Sequence, residues 1–595
     1  MVGERQFSWV LLTGLLGLLL FACDGQIGGS GFDGPGSPFR GDDPAVVGSP
    51  SESTLLRLSK QQHQKTLANL LENFLDNEAP AVLQALDPVY SIIPDDPADL
   101  NIPGLVGSSY SRMSQTVGEL HVRGYFEVAR TVADAVAFDS SRRTALFGDC
   151  IDAAGDDHSS CVDSFLDTFG LWVMRRPLTL EERTFLLDTV FADDGSNYAA
   201  SPESLHDLLV ALLVSPNFLY FVNTNGEEIG EGRFELDPYE LASRLSYHFW
   251  DSMPDQALFD AAADGRLMTD NGYADQVARL YADPRTDETF EKFIFEWLAL
   301  YKTGDPFGGV TSDDIRKMTF IEGYDVAPAL RENMVQEVLD MAEYYRQSGT
   351  FLDLFTSNES FAKTSDLAAI YGAPVWDGDG IPEPLPNPER LGILGRAALL
   401  SSATVATHPI LRGVRIREDL MCDVLGEPPD NVNTTQQDLE SVATTRQRID
   451  NLTSPGSCAG CHTFINGLGF PLEAFDSLGR FRADEMFIDI EGNVTMLPLD
   501  LESTPFINGT QDTTTVLGPA ELVETVIASG KLEECFARHY VRFTLGLLAD
   551  PAFGGDPGTI GAIARLTQSG APLADVFKEI AYLPAFKQRR KGADN

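Results

Sequence analysis

The sequence predicts a predominantly α-helical protein of several segments, with a short β-hairpin near its carboxyl end. After Ser59, Ser201 and Asp237 the chain reads as capped helices, and Leu241, Leu245 and His248 share one helical face. Between Phe487 and Leu499 the pattern changes to alternation around Glu491-Gly492-Asn493, which reads as a hairpin. The third observation is Cys458-Ala-Gly-Cys461-His462, a C-x-x-C-H run with the spacing for covalent attachment of one c-type haem. Both thiols lie on one helical turn, where each can bond a vinyl group of the porphyrin, and the His462 imidazole is the axial iron ligand.

Two other chemistries share part of that motif. A half-site for zinc needs a second C-x-x-C or an H-x3-5-H pair, and the sequence has neither. A thioredoxin-like dithiol needs a βαβ setting, whereas the flanks here read as helix before and loop after.

Composition bounds the rest. The 595 residues are too many for one core and suggest two to four domains. A hydrophobic content of 43 % with 10 % aromatics is that of a globular chain. Against 89 Asp+Glu stand 43 Lys+Arg, a net charge of -46, which excludes phosphate-rich partners such as nucleic acid. The acidic coat is expected to keep an exported protein soluble, with steering of cationic partners as the alternative reading.

In chain order, residues 1–22 read as a lipoprotein signal peptide. Arg5 opens a short positive region, Trp9 to Phe21 is an apolar run too short to span a bilayer, and Leu20-Phe21-Ala22-Cys23 resembles a lipoprotein cleavage box. Cys23 is the expected lipidation site, so the protein is expected in the cell envelope, tethered to a membrane. Residues 23–54, rich in Gly, Ser, Pro and Asp, read as a flexible tether. Residues 55–145 form a helical domain opened by Ser59, broken by a Pro-rich loop at Ile93 to Pro97, with His63 and His121 expected at the surface. In residues 146–230, Cys150 and Cys161 bracket a Gly/Asp-rich loop and are expected to close as a disulfide. Thr179 and Glu182 form a capping box there, and Arg175 and Arg176 are expected to pair with local carboxylates.

Residues 231–385 form a third helical domain with His248 in its core, and Trp376-Asp377-Gly-Asp379-Gly as a loop. Residues 386–510 are the haem module and 511–595 a helical tail, with Cys535 on a helix from Leu532 to Leu545. Cys422 and Cys535 remain once lipid, haem and the first pair are assigned, which makes them the second disulfide candidate.

The run from Cys458 through Ile465-Asn466-Gly467, Gly469-Phe470, Leu472-Glu473, Phe475-Asp476, Gly479 and Arg482 resembles a signature of the large planctomycete-type multidomain cytochrome c family, C-x-x-C-H-x-x-I-D-P-x-G-F-x-L-E-x-F-D-x-x-G-x-x-R. Ser243-Arg244-Leu245-Ser246-Tyr247, Arg175-Arg176-Pro177-Leu178-Thr179 and Thr407-His408-Pro409-x-x-Arg412-Gly413 resemble further parts of that family. The resemblance implies a haem protein assembled from domains of unknown function. One departure is notable: Asn466-Gly467 replaces Asp-Pro, where a backbone carbonyl near the proline fixes the tautomer of the ligating histidine.

Electron transfer with a redox partner protein is the expected function, because the chain offers covalent haem and no recognisable nucleophile or acid/base constellation. A peroxidase-like haem enzyme and a redox-sensing envelope scaffold are the rival readings. For the sixth iron ligand, chain order favours a methionine downstream of His462, which leaves Met486 and Met496. Met496, past the hairpin turn, is the expected ligand, with His408, His539 and His248 as the other candidates.

Overall fold

The computed structural model describes residues 55–100, 107–153, 157–191, 199–304, 314–324, 327–425, 442–454, 458–546 and 557–590. The calls on the signal peptide, Cys23 and the tether lie outside these ranges. The described chain is mainly α-helical, with three small antiparallel sheets, and among the described residues no helix is long and apolar enough to cross a membrane.

Caps begin the helices where the sequence places them. Ser59 accepts the main-chain N–H of Gln62, whose side-chain oxygen accepts from Ser59 N–H, and this starts the helix Lys60–Leu75. Asp237 does the same for Pro238–Trp250, accepting from Tyr239 and Glu240 N–H at 2.8 and 2.9 Å. Thr179 and Glu182 exchange the reciprocal pair at 3.1 and 2.9 Å.

Three apolar clusters organise the helices. The first gathers residues between Leu58 and Phe259 into an amino-terminal layer. A small one lies between Leu236 and Phe586, where the strand Gln588–Arg590 pairs with Arg233–Glu235. The largest draws on Trp297 from the helix Arg285–Trp297, Met341 from Leu330–Ser348, Leu468 and Phe475 near the motif, and Phe536 and Tyr540 from Lys531–Leu545. That core joins residues from Tyr110 to Ile580, across the segment limits read from sequence.

The expected hairpin is Asp484–Ile488 paired with Val494–Pro498, with Met486 opposite Met496. The structure bonds Cys150 to Cys161, whose Cα atoms are 5.9 Å apart, and Cys422 to Cys535 at 5.3 Å.

Four expectations need correction. His63 is 2 % exposed, because its helix is covered on two sides; its Nδ1 lies 2.8 Å from the Tyr90 hydroxyl and its ring packs on Tyr125 and Phe218. His121 is buried as well, since its Nδ1 accepts the Gly118 N–H and caps the helix Glu119–Ala137. Arg176 pairs with Glu182 at 2.7 Å, but the neighbouring Arg175 turns inward to the Tyr247 hydroxyl and the Tyr220 carbonyl. Finally, the haem motif is followed by helix and not by loop: Cys458 opens the helix Cys458–Gly469.

Candidate functional site

The motif helix presents Cys458, Cys461 and His462 within its first two turns, all partly exposed. Four residues on, Asn466 lies on the same face, and its side-chain carbonyl is 3.3 Å from His462 Nδ1. Asn466 Nδ2 donates to Thr453 Oγ1 at 2.9 Å, and Thr453 donates on to the Ile449 carbonyl at 2.7 Å. The amide is thereby oriented to accept from Nδ1–H, which leaves Nε2 as the nitrogen that could take a metal. Asn466 thus provides from its side chain the tautomer lock that the missing proline put in question.

The buried side of the helix is held at backbone contact. A Cβ on Gly413 of the helix Pro409–Arg415 would stand 2.1 Å from the Ile465 carbonyl oxygen, and one on Gly469 2.0 Å from that of Pro409. A Cβ at Gly467 would stand 2.3 Å from the Thr504 carbonyl oxygen, so no residue with a Cβ, proline included, fits there unless the backbone moves. The segment Ser503 to Ile507 closes against this glycine, with Ser503 Oγ donating to the Gly467 carbonyl at 3.0 Å. Arg417, fully buried, ties both pieces together: it donates to the carbonyls of Phe464, Pro505 and Phe506 and pairs with Asp423 at 2.8 Å.

The residues that follow the motif build its support. Glu473 is 1 % exposed and accepts from Thr407 at 2.5 Å, Arg482 at 3.0 Å and Arg412 at 3.2 Å. Burial pushes the Glu473 carboxyl up and draws Arg412 down to about 10, so the pair costs desolvation and is retained by its full set of partners. Asp476 Oδ1 accepts the N–H groups of Leu478 and Arg480, both at 2.9 Å, and turns the chain toward the hairpin.

Beside His462 lies a cavity of about 490 Å³, within the roughly 300–1,000 Å³ of cofactor and small-molecule sites. Its lining is largely polar, with Arg446, Asp450, Asp500, Glu502, Ser503 and Thr504 among the residues. Arg446 braces that lining, donating to the Asp500 and Glu502 carbonyls at 2.8 and 2.7 Å, with its guanidinium over the Phe470 ring. Burial pushes the Asp450 carboxyl up. Two thiols one turn apart and an imidazole with its Nδ1 engaged are the residues that could hold a covalent haem, and His462, but neither cysteine, lines the cavity.

Met496 is not brought to this place. It lies on the hairpin strand Val494–Pro498, 53 % exposed, and outside the cavity lining. His408 lines a different cavity, of about 740 Å³, with Tyr301, Lys302, Arg415, Glu418 and Asp419. There burial, with repulsion from Asp419, lifts Glu418 to about 7, and burial, with repulsion from Asp99, lifts Asp419 to about 6. Sequence reasoning missed Arg417, Arg446 and Thr453, which carry no motif; the glycines of two neighbouring helices were the legible signal for the Gly413 contact.

Three family models match the chain: PSD5, protein of unknown function (DUF1595), over residues 161–223; PSD4, protein of unknown function (DUF1592), over 236–373; and PSCyt3, protein of unknown function (DUF1588), over 390–485. The last spans the motif helix and its supporting carboxylates. No curated protein and no solved structure matches the chain. With these three domains in order and the C-x-x-C-H helix inside the third, the chain belongs to the planctomycete-type multidomain cytochrome c family.

Proposed function

We propose that this chain is an exported c-type haem protein, lipid-tethered through Cys23, that passes single electrons to or from a soluble redox partner. The observation that carries the reading is the turn Cys458–His462 together with Asn466: two thiols for the porphyrin, one imidazole for the iron, and an acceptor that orients it. When bound, the haem supplies one-electron exchange between ferric and ferrous iron. The residues of the chain attach it, aim His462 and, through Arg412, Glu473 and Arg417, hold the motif helix against the core. The net charge of -46 favours a partner with a cationic face and an on-rate that falls with salt.

The test is expression of the full chain with a cytochrome c maturation system. Haem that stays with the protein through acid-acetone extraction, and is lost in a Cys458→Ser/Cys461→Ser variant, is the expected result. Extraction of all haem from the unaltered chain overturns the proposal. The tether has its own test: Cys23→Ser is expected to leave the membrane fraction or to stay unprocessed, and a wild type already soluble after export refutes it.

A further inference from the structure

We propose that Cys422, Cys535 and His539 form a redox-gated zinc site. The site is closed while the two sulfurs are bonded to each other, and it holds one zinc ion on two thiolates and an imidazole once a dithiol has reduced them. None of its atoms comes from Cys458, Cys461 or His462, so it stands apart from the haem reading.

Two distant stretches meet here. From the helix Pro409–Arg415 the chain runs through a five-residue π turn, Ile416–Leu420, and reaches Cys422 at a φ of 52°, in the left-handed region that favours glycine. Cys535 and His539 stand four positions apart on one face of the helix Lys531–Leu545. The two sulfurs and a ring nitrogen of His539 all lie within 4.8 Å of one another. The three residues are 3 %, 1 % and 0 % exposed in that order.

The histidine is what points to a ligand. A structural disulfide needs only apolar packing around it, yet His539 is wholly buried and its Nε2 has no hydrogen-bond partner. Its Nδ1 lies 2.9 Å from the Tyr110 hydroxyl oxygen. With Nδ1–H donated to that oxygen, Nε2 keeps an unused lone pair, which is the tautomer and the outer partner of a metal-bound imidazole. Tetrahedral zinc holds sulfur at about 2.3 Å and nitrogen at about 2.0–2.1 Å, so its ligand atoms stand about 3.5–3.8 Å apart. Side-chain rotation on Cα atoms 5.3 Å apart reaches that spread. Charge selects the ion: two thiolates, a neutral imidazole and a divalent cation sum to zero, which a buried site tolerates. The Asp419 carbonyl, 3.6 Å from Cys535 Sγ, stands beside the trio as a further oxygen.

An entry route adjoins the site. Gly107, Glu418 and Asp419 line the cavity of about 740 Å³, and a Cβ on Gly107 would stand 2.7 Å from His539 Nε2 and 2.8 Å from the Glu418 carbonyl oxygen. In the reducing step a dithiol gives two electrons and two protons to the Cys422–Cys535 bond and itself becomes a disulfide, leaving two thiols. Zinc then binds both sulfurs and Nε2, and the two thiol protons pass to water.

The experiment uses the full-length chain matured with haem and, in parallel, its Cys458→Ser/Cys461→Ser variant. Each is reduced anaerobically with a dithiol, freed of it, and titrated with zinc chloride beside its oxidised form. Expected is one zinc per chain after reduction and none before, with two sulfur neighbours at about 2.3 Å and nitrogen at about 2.0–2.1 Å in zinc-edge X-ray absorption. Tyr110→Phe, which removes only the hydroxyl, is expected to weaken zinc binding by roughly 10–100-fold, and His539→Gln by at least as much. Circular dichroism checks that the variants fold; where His539→Gln does not, Tyr110→Phe decides. No zinc uptake by the reduced chain overturns the proposal, as does a zinc ion retained by Cys422→Ser/Cys535→Ser. Unaltered affinity in Tyr110→Phe or in folded His539→Gln also overturns it, since a disulfide packed beside a merely structural histidine would behave that way.

Discussion

Substituting Gly467→Ala tests how the cavity wall is held. The new Cβ would lie 2.3 Å from the Thr504 carbonyl oxygen and 2.9 Å from Pro505 Cα. A carbon–oxygen contact relaxes at about 3.3 Å, so the segment must withdraw by about 1 Å. It is not free to do so: Ser503 exchanges main-chain bonds with Val516 at 2.9 and 2.8 Å, and Arg417 holds the carbonyls of Pro505 and Phe506. Overpacking of this kind costs about 1–3 kcal/mol, and a weakened bond to the buried guanidinium adds about 1.5–3 kcal/mol. The gain from alanine over glycine in a helix is about 1 kcal/mol, so loss wins. Gly561→Ala in the helix Pro557–Gln568 is the control, because its Cβ would meet only the tip of Arg565 at 3.3 Å. Urea unfolding followed by circular dichroism and haem absorbance reads both variants. Gly467→Ala should lower the midpoint and Gly561→Ala leave it level or raise it; an equal or higher midpoint for Gly467→Ala refutes the close-packed wall.

Asn466→Ala should raise the haem midpoint potential, because His462 loses the acceptor that makes it a better donor to ferric iron, while Asn466→Asp should lower it; spectroelectrochemical titration decides, and shifts of the same sign refute the tautomer lock. Replacing both Cys422 and Cys535 by serine should cost about 4–5 kcal/mol, since their bond closes a separation of 113 residues; the Cys150–Cys161 pair, separated by 11, should cost about 3 kcal/mol, and a reversed order in chemical denaturation contradicts the entropic account. Stability should also fall with acid. Burial holds His63 and His248 neutral, each with a pKa near 3 against 6.5 unfolded, so their contribution is complete above pH 6.5 and shrinks by about 1.4 kcal/mol per histidine per pH unit below it. Glu418 and Asp419, raised to about 7 and about 6, act oppositely and are most stabilising below pH 4, but Glu418 is part-exposed and its share is screened. The urea midpoint should therefore drop between pH 6.5 and 4.5; a flat or rising midpoint refutes neutral burial of the two histidines.

Local chemistry was legible in the chain because it is written in adjacent residues. Ser59, Asp237 and the Thr179–Glu182 pair mark helix starts, since a cap bonds groups three positions away at most. The alternation around Gly492 marks the hairpin, and Cys458, Cys461 and His462 share one turn by spacing alone. What the tertiary structure decided is contact between distant segments. His63 and His121 read as surface polar residues because one amphipathic face does not reveal how many neighbours a helix has, yet packing covers them both. Arg175 and Arg176 are adjacent and chemically alike, but only the fold sends one to Tyr247 and the other to Glu182. Chain order pointed to Met496 as an iron ligand, whereas strand pairing leaves it on an exposed face, because a hairpin aligns its residues by register and not by need. Gly467 looked like a lost proline, and its reason lies 37 residues away in sequence at Thr504, whose carbonyl occupies the space any side chain would require.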